Sequence, residues 1–285
     1  MRSENADGDE RRPFINLENV QAALDALIYP ATAAHPNALY QLTLVDIFLA
    51  NPDLPRISDP REFALQHLLA NLIREEYCYR RQSFGLPEPS GHESLAAAKS
   101  AIAQDAHEGA AKLIGWSSLY YRHVRVDLEI GSKAYARGVK LSERTVYRYQ
   151  LAATIQLKDR LAIEEWNARS QHRQKRLLTL LPRIPSTRLF GRESAFEAAR
   201  HALDTEHKAA HFQISGPVGI GKTAFTQEFV RQQIEGGTIL QLVWLSNPPS
   251  VAFVRHQLME SILSTLENST ISLREYTLLH KVAIV

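Results

Sequence analysis

A run of eight residues has the spacing most closely tied to chemistry in this sequence: a glycine, four further residues, and then Gly-Lys-Thr. Glycines let the backbone wrap closely around phosphates, while the lysine reaches the β- and γ-phosphates and the hydroxyl reaches Mg²⁺. The pattern predicts a P-loop that binds a nucleoside triphosphate, ATP with Mg²⁺, with Thr223 as the Mg²⁺ ligand. The predicted nucleotide-binding residues of the loop are Gly216, Pro217, Val218, Gly219, Ile220, Gly221, Lys222 and Thr223.

A loop of this kind lies between a strand and a helix, and the flanking sequence predicts both. Residues 211–215 suit a short strand, and residues 223–233 have helical spacing with Phe225 and Phe229 on the apolar side. Residues 238–245 are apolar and β-rich, as in a buried parallel strand. We therefore expect an α/β P-loop NTPase domain with an incomplete parallel sheet. Further elements are predicted as helices at residues 250–266 and 272–280 and as a strand at residues 281–285.

Three short segments resemble a known family. Residues 219–223 resemble the P-loop core of the NB-ARC and related STAND ATPases, and residues 190–193 resemble the segment that opens these domains and helps to hold the base. Residues 243–245 are similar to the family's second strand, so the resemblance covers about residues 189–285. It implies that Arg192 contacts the nucleotide and that the full-length protein self-associates. AAA+ ATPases share a similar opening segment and fold and are the alternative family.

ATP hydrolysis needs an acidic Walker B residue and a group that positions the attacking water, in addition to the loop. Residues 282–285 have the character of the beginning of the strand that carries such carboxylates, and no other apolar strand pattern ends in paired acids. The sequence is either a fragment of a longer ATPase or a complete protein that binds nucleotide without turnover. We favour a fragment, because a sheet of about three strands would leave apolar edges open.

Composition excludes several other classes of protein. The chain has 285 residues, 45% hydrophobic and 22% charged, which is typical of a soluble globular protein with two domains. Cys78 is the only cysteine, so an internal disulfide is excluded and a reducing compartment is the simplest interpretation. No signal segment and no apolar run of about 18 residues is present. We expect a cytoplasmic protein without a membrane partner.

Changes in composition along the sequence predict four parts. Residues 1–13 are polar and predicted to be a disordered tail, and residues 14–168 are predicted to be an all-helical module. Residues 169–188 form a basic linker, and residues 189–285 form the partial P-loop domain.

Two helix starts in the helical module have capping signals. Asp59 can cap a helix that begins at Pro60, and Glu62 can complete a capping box. Ser90 and Glu93 predict a second capping box before an Ala-rich helix.

Residues 126–165 contain a candidate helix–turn–helix unit, with Gly138 in the turn and Ser142 as the N-cap of the second helix. The apolar residues that lie along one face of this helix are Val146, Tyr149, Ala153, Leu157 and Leu161. The run at residues 142–148 resembles DNA-binding helix–turn–helix units of bacterial regulators, with a longer turn than usual. Residues 122–160 contain nine Lys or Arg and four acids, a local net charge of +5, which favours a nucleic acid backbone as partner. The candidate contacts to double-stranded DNA are Arg144, Thr145, Tyr147 and Arg148.

Together these features predict an ATP-binding regulatory protein in which the nucleotide state acts as a switch and the helical module is the output. The output is either DNA binding in transcriptional regulation or recruitment of an effector by an adaptor, as in bacterial defence or signalling ATPases. The alternative is an AAA+-type ATPase that acts on DNA. These functions differ in their partners: a duplex, a protein, or ATP-dependent assemblies on DNA.

Overall fold

The computed structural model divides the chain into two compact units, residues 1–169 and residues 170–285. The predicted tail at residues 1–13 and the predicted elements between residues 250 and 285 lie outside the described residues. The structure describes residues 14–29, 37–54, 57–108, 111–182, 190–205, 213–239, 241, 242 and 244.

The described part of the first unit consists of helices and short helical turns. Its last helix continues to Leu180, so the first residues of the predicted linker are helical. Among the described helices, none is both long and apolar enough to cross a membrane. The helices are α1 Leu17–Ile28, α2 Thr43–Leu49, α3 Pro60–Ser83, α4 Leu95–Glu108, α5 Ala111–Leu119, α6 Ser132–Gly138 and α7 Glu143–Leu180, with 3₁₀ turns at Ala38–Gln41 and Val126–Leu128 and a π-helical turn at Tyr120–Val124.

The hydrophobic core of the first unit lies between α3, α5 and α7. In α7 the buried side chains recur at the helical spacing that the sequence predicts, because one side of the helix faces the core. These residues are Val146, Ala153, Leu157 and Leu161. The neighbouring elements contribute large aromatic rings, which bury a large apolar area each. The rings belong to Tyr77, Trp116, Tyr120, Tyr121 and Tyr135.

Helices α5 and α7 cross in close contact at Gly115. A Cβ atom on Gly115 would overlap the carbonyl oxygen of Tyr149 and would lie 3.1 Å from the Cβ atom of Ala153. The distance between two packed helices depends on the side chains at their contact. Glycine is therefore required at position 115, since any side chain there would push α7 away from the core.

A buried polar network joins α3, α4 and α5. Arg81 pairs with Asp105, and both side chains are almost completely shielded from solvent. Tyr77 and Ser117 each donate a hydrogen bond of 2.6 Å to the Asp105 carboxylate. Burial raises the pKa of Asp105, against the opposing effect of these hydrogen bonds and of the Arg81 charge. Because the carboxylate has partners on both neighbouring helices, the network sets the positions of all three helices.

The start of α3 follows one sequence prediction and departs from another. The helix begins at Pro60 with Asp59 in the N-cap position, which confirms the predicted start. The predicted capping box is wrong, because Asp59 makes no side-chain cap and Glu62 accepts a hydrogen bond from Gln66 instead.

The capping box predicted at Ser90 is also wrong. Ser90 and Glu93 hydrogen-bond to each other within the preceding turn, and α4 begins only at Leu95. The hydroxyl of Ser94 accepts the hydrogen bond from the backbone N–H of Ala97. The helix therefore starts one turn later than the sequence pattern indicates.

The described part of the second unit is also helical. It contains the end of α7, α8 Glu193–Thr205 and α9 Lys222–Glu235. A small apolar cluster connects α7 with α9 and with the segment that follows α9. Its buried members are Leu177, Val230, Ile234, Ile239 and Leu242.

The predicted α/β fold of this unit is wrong, because the described residues contain no β-strand. Residues 213–215, predicted as the strand before the loop, are exposed and irregular. Ile239 and Leu242, from the second predicted strand, pack with side chains of α7 and α9. An isolated strand leaves its backbone hydrogen bonds unmade and depends on neighbouring strands. In the described part of the chain this apolar segment has helical neighbours instead.

Glu165 of α7 caps the N-terminus of α2 from another helix. The N-cap residue of α2 is Leu42, whose side chain cannot accept a hydrogen bond. The Glu165 carboxylate, 1% exposed, accepts hydrogen bonds from the backbone N–H groups of Thr43 (3.0 Å) and Leu44 (3.1 Å) and pairs with Arg169. A negative charge is favourable at this end of a helix.

We expect Glu165→Ala to lower the free energy of unfolding by about 2–3 kcal/mol, because two shielded N–H groups lose their acceptor. Glu165→Gln keeps one acceptor oxygen and should cost less. Urea denaturation followed by circular dichroism measures both effects. Glu164→Ala is the matched control, with an expected change within about 0.5 kcal/mol. Equal losses at positions 164 and 165 would contradict the role of Glu165 as a cap.

His123, in the π-helical turn, is buried between α1 and α7. Its Nδ1 atom lies 3.0 Å from the carbonyl oxygen of Leu24, and its Nε2 atom lies 3.2 Å from Nε2 of Gln150. A neutral ring with its proton on Nδ1 satisfies both contacts, since it donates to the carbonyl and accepts from the amide. Burial lowers the pKa of His123 to about 4, aided by the charge of Arg122 and opposed by the bond to Leu24.

Because this pKa lies below the ordinary value of 6.5, the unfolded chain binds the proton first as the pH falls. The stabilising effect of neutral His123 is complete above about pH 6.5 and is lost as the pH falls towards 4. A difference of about 2.5 pKa units corresponds to about 3 kcal/mol. Denaturant titrations across this pH range should show the loss, and His123→Gln should flatten it. If the free energy of unfolding of His123→Gln depends on pH as steeply as that of the wild-type protein, the pH dependence belongs to other groups.

Candidate functional site

The glycine-rich loop that precedes α9 has an unusual backbone. Gly216, Gly219 and Gly221 have φ angles of 153°, 87° and 87°, a region that residues with a Cβ atom rarely adopt. Residues 213–220 are all exposed. The spacing of glycines in the sequence thus coincides with the positions where the turn requires them, and the loop backbone is accessible to a ligand.

Lys222, the first residue of α9, folds back over the loop. Its Nζ atom donates hydrogen bonds of 2.9 Å to the carbonyl oxygens of Gly216 and Pro217. A phosphate oxygen is a stronger acceptor for an ammonium group than a neutral carbonyl oxygen is. The lysine is therefore placed to exchange its contacts with the loop for contacts with an anion.

The N-terminus of α9 faces the same loop. Gly221 occupies the N-cap position and has no side chain to cap the helix. The first N–H groups of a helix lack partners within the helix, and its dipole favours an anion at this end. Thr223, in the first turn, is exposed. Among the described residues no group of three or more His, Cys, Asp or Glu could hold a metal ion.

The structure places Arg192 beside the loop. Its Nη2 atom donates a hydrogen bond of 3.3 Å to the carbonyl oxygen of Ile220, 28 residues further along the chain. Arg192 and Lys222 together bring two positive groups to the loop carbonyls. Val218 lies at the tip with its side chain completely exposed, so it contributes to the loop through its backbone.

Aromatic packing positions both cations. The ring of Phe196 in α8 lies 4.5 Å from the ring of Phe225 and 6.3 Å from that of Phe229, both in α9. Arg192 directly precedes α8, and Lys222 begins α9. The contact between the two helices therefore keeps Arg192 close to the loop.

The helix–turn–helix segment has a different turn from the predicted one. The N-cap is confirmed, since Ser142 Oγ accepts a hydrogen bond of 3.1 Å from the backbone N–H of Thr145. The left-handed residue in the turn is Lys140, with φ 55°, and the prediction that Gly138 supplies the turn is wrong. A Cβ atom on Gly138 would lie 3.1 Å from the side chain of Ile102, so this glycine permits close packing of α6 on α4.

Three of the four candidate DNA contacts lie on an accessible surface at the start of α7. Arg144, Tyr147 and Arg148 are exposed, and the 3–4 residue spacing places them on neighbouring turns of one side. The guanidinium of Arg148 lies 5.4 Å from the ring centre of Tyr149. Thr145 differs, because its hydroxyl contacts the capping serine at 2.9 Å. Thr145 therefore belongs to the N-terminal cap of α7.

A second feature of α7 is absent from the sequence predictions. Ile155, Ile163 and Trp166 are 41%, 60% and 58% exposed. Their signal is present in the sequence: once the apolar series from Val146 to Leu161 is assigned to the core, these three residues fall on the opposite side of the helix.

Comparison with known proteins finds no family model, no curated protein and no solved structure that matches the chain. The assignment of residues 189–285 to the STAND and NB-ARC ATPases is therefore wrong, because no family matches and the described residues lack the sheet of that fold. The resemblance of residues 142–148 to bacterial regulators likewise has no matching family. Short motifs recur on unrelated chains, so function has to be inferred from the local geometry.

Proposed function

We propose that residues 216–223 bind the phosphates of a nucleoside triphosphate, ATP with Mg²⁺, and of ADP. The position of Lys222 is the observation that carries this proposal. Holding a long lysine side chain in one conformation costs entropy, yet Lys222 folds onto two loop carbonyls at 2.9 Å. This contact keeps a positive charge at the centre of the turn, where a phosphate group would meet it.

The glycines and the neighbouring side chains support the same function. Successive backbone N–H groups around residues in left-handed conformation form a concave anion site, and Gly219 and Gly221 have that conformation. Thr223 is the proposed protein ligand of a Mg²⁺ ion that the phosphates also hold. Arg192, bonded to the carbonyl of Ile220, is the second positive group that faces the nucleotide.

The proposed activity is nucleotide binding. Hydrolysis would also require a carboxylate that holds Mg²⁺ and a group that orients the attacking water, and the proposal assigns no residue to either role. Binding alone is sufficient for a regulatory role. A nucleotide that takes over the contacts of Lys222 with the loop would change the order of a short exposed segment, which is a common form of switch. We therefore propose a nucleotide-dependent regulatory protein.

Calorimetry with a non-hydrolysable ATP analogue and Mg²⁺ tests the phosphate site. We expect Lys222→Ala to weaken binding by roughly 10- to 100-fold, because charge-assisted hydrogen bonds contribute about 1.5–3 kcal/mol. Lys175→Ala removes an exposed lysine elsewhere in the second unit and is the matched control. Circular dichroism checks that both variants fold. Equal affinities of the wild-type protein and Lys222→Ala would overturn the phosphate assignment.

We propose contact with double-stranded DNA as a second candidate function of the first unit. The observation that favours it is the exposed group of Arg144, Tyr147 and Arg148 at the start of α7. Arginine pairs well with phosphate, and an aromatic ring can pack beside the backbone or a base. The adaptor function predicts a protein on this surface in place of DNA.

Fluorescence anisotropy with a labelled duplex at several salt concentrations tests the DNA proposal. The double variant Arg144→Ala/Arg148→Ala should weaken binding. It should also reduce the slope of log affinity against log salt concentration by about 2, because each phosphate contact contributes about 1 to this slope. Lys99→Ala/Lys112→Ala removes two exposed charges from α4 and α5 and should have a smaller effect. An identical loss in both double variants would indicate binding through overall charge and not through α7.

A further inference from the structure

One side of α7 in the first unit has an apolar stripe that faces solvent. Positions 152, 155, 159, 163 and 166 are separated by three or four residues and therefore lie along a single side of the helix, over a length of about 21 Å. All of them are exposed, although most are apolar. They are Ala152, Ile155, Asp159, Ile163 and Trp166.

The exposure of this stripe is notable because the other side of α7 already faces the core. Leu157 and Leu161 are completely buried there. A helix that is apolar on two sides usually has a second neighbour, since clusters of exposed large apolar side chains mark interaction surfaces. Trp166 and Ile163 are 58% and 60% exposed, and both are large enough to anchor an interface.

The stripe is symmetric about Asp159. Ile155 and Ile163 lie four residues before and after it, and Ala152 and Trp166 lie seven residues before and after it. In an antiparallel pair of identical helices with its two-fold axis at Asp159, Ile155 faces the partner's Ile163. Ala152 then faces the partner's Trp166, so the smallest side chain of the stripe lies opposite the largest.

This order of sizes selects one arrangement. In a parallel pair at equal register, Trp166 would face the partner's Trp166 and Ala152 would face the partner's Ala152, which crowds one end and leaves a gap at the other. The antiparallel pair makes the large–small contact twice, as a two-fold interface requires. Packing two helices at 8–10 Å depends on such complementary sizes.

Charge is also compatible with the antiparallel pair. Asp159 would approach the partner's Asp159 at the two-fold axis, which by itself is unfavourable. Lys158 lies beside it, with its Nζ atom 3.0 Å from an Asp159 carboxylate oxygen. The axis therefore gathers two lysines and two carboxylates, a group without net charge at the centre of the apolar contact.

We propose that the stripe of Ala152, Ile155, Asp159, Ile163 and Trp166 binds a second copy of this chain, with the two α7 helices antiparallel about Asp159. This interface includes neither the phosphate loop nor the candidate DNA contacts. A dimer formed in this way leaves the buried side of each α7 in its own core.

Sedimentation velocity of the full chain, without nucleotide or DNA and over a wide range of concentrations, tests the proposal. We expect a dimer, and we expect Trp166→Ala and Ala152→Trp each to raise its dissociation constant by roughly 10- to 100-fold. Truncation of a tryptophan in an interface often has an effect of this size. The double variant Ala152→Trp/Trp166→Ala restores the large–small contact in the same register and should recover dimerisation. Because these positions are exposed, circular dichroism should show unchanged folding.

Crosslinking provides a second readout of the register. In a Cys78→Ser background, Asp159→Cys should form a covalent dimer with a short thiol-specific crosslinker, whereas Lys99→Cys, an exposed position on α4, should not. A monomer at every concentration, or a dimer that is insensitive to both single variants, would overturn the proposal. Loss of dimerisation without recovery in the double variant would overturn the antiparallel register.

Discussion

The close crossing of α5 and α7 is the constraint on which the organisation of the first unit depends. Gly115 leaves no space between its own helix and the backbone of α7 at Tyr149, so the position of α7 relative to the core is set within a narrow range. Polar contacts then fix its rotation. Gln156 accepts hydrogen bonds of 3.1 Å from both Arg80 of α3 and Trp116 of α5, and Glu165 caps α2. With this side of α7 occupied, the remaining side, with Arg148 at one end and Trp166 at the other, is available to partners.

In the second unit the conformation of the glycine-rich loop depends on residues close to it in sequence. Its geometry depends on left-handed glycines and on the fold-back of Lys222, and these features need only the loop and the start of α9. The contact of Phe196 with Phe225 brings Arg192 to the same place. The glycine-rich loop and Arg192 thus lie beside helices, and the strands predicted from residues 211–215 and 238–245 are not present among the described positions. Local chemistry and overall fold are separable properties here.

The proposed functions use different surfaces of the two units. The loop has exposed backbone groups beside the half-buried side chains of Lys222 and Arg192, which suits an anion, whereas α7 exposes arginines and an apolar stripe, which suits a macromolecule. Dimerisation through α7, nucleotide binding at the loop and duplex binding at Arg144 and Arg148 use separate residues. Each can therefore be tested with its own variants.

The sequence by itself determined features that depend on neighbouring residues: the helix start at Pro60, the cap at Ser142, the buried spacing of α7 and the positions of the loop glycines. Tertiary structure decided the rest. Gly138 has the composition of a turn residue but serves the packing of α6 on α4, while Lys140 takes the left-handed position. In the sequence nothing distinguishes Glu165 from the other acidic residues of α7, and only the packing of α2 against it shows that it caps a helix. Ile239 and Leu242, from a predicted strand, pack with helices, because strand formation depends on partners distant in sequence, which local propensity does not encode.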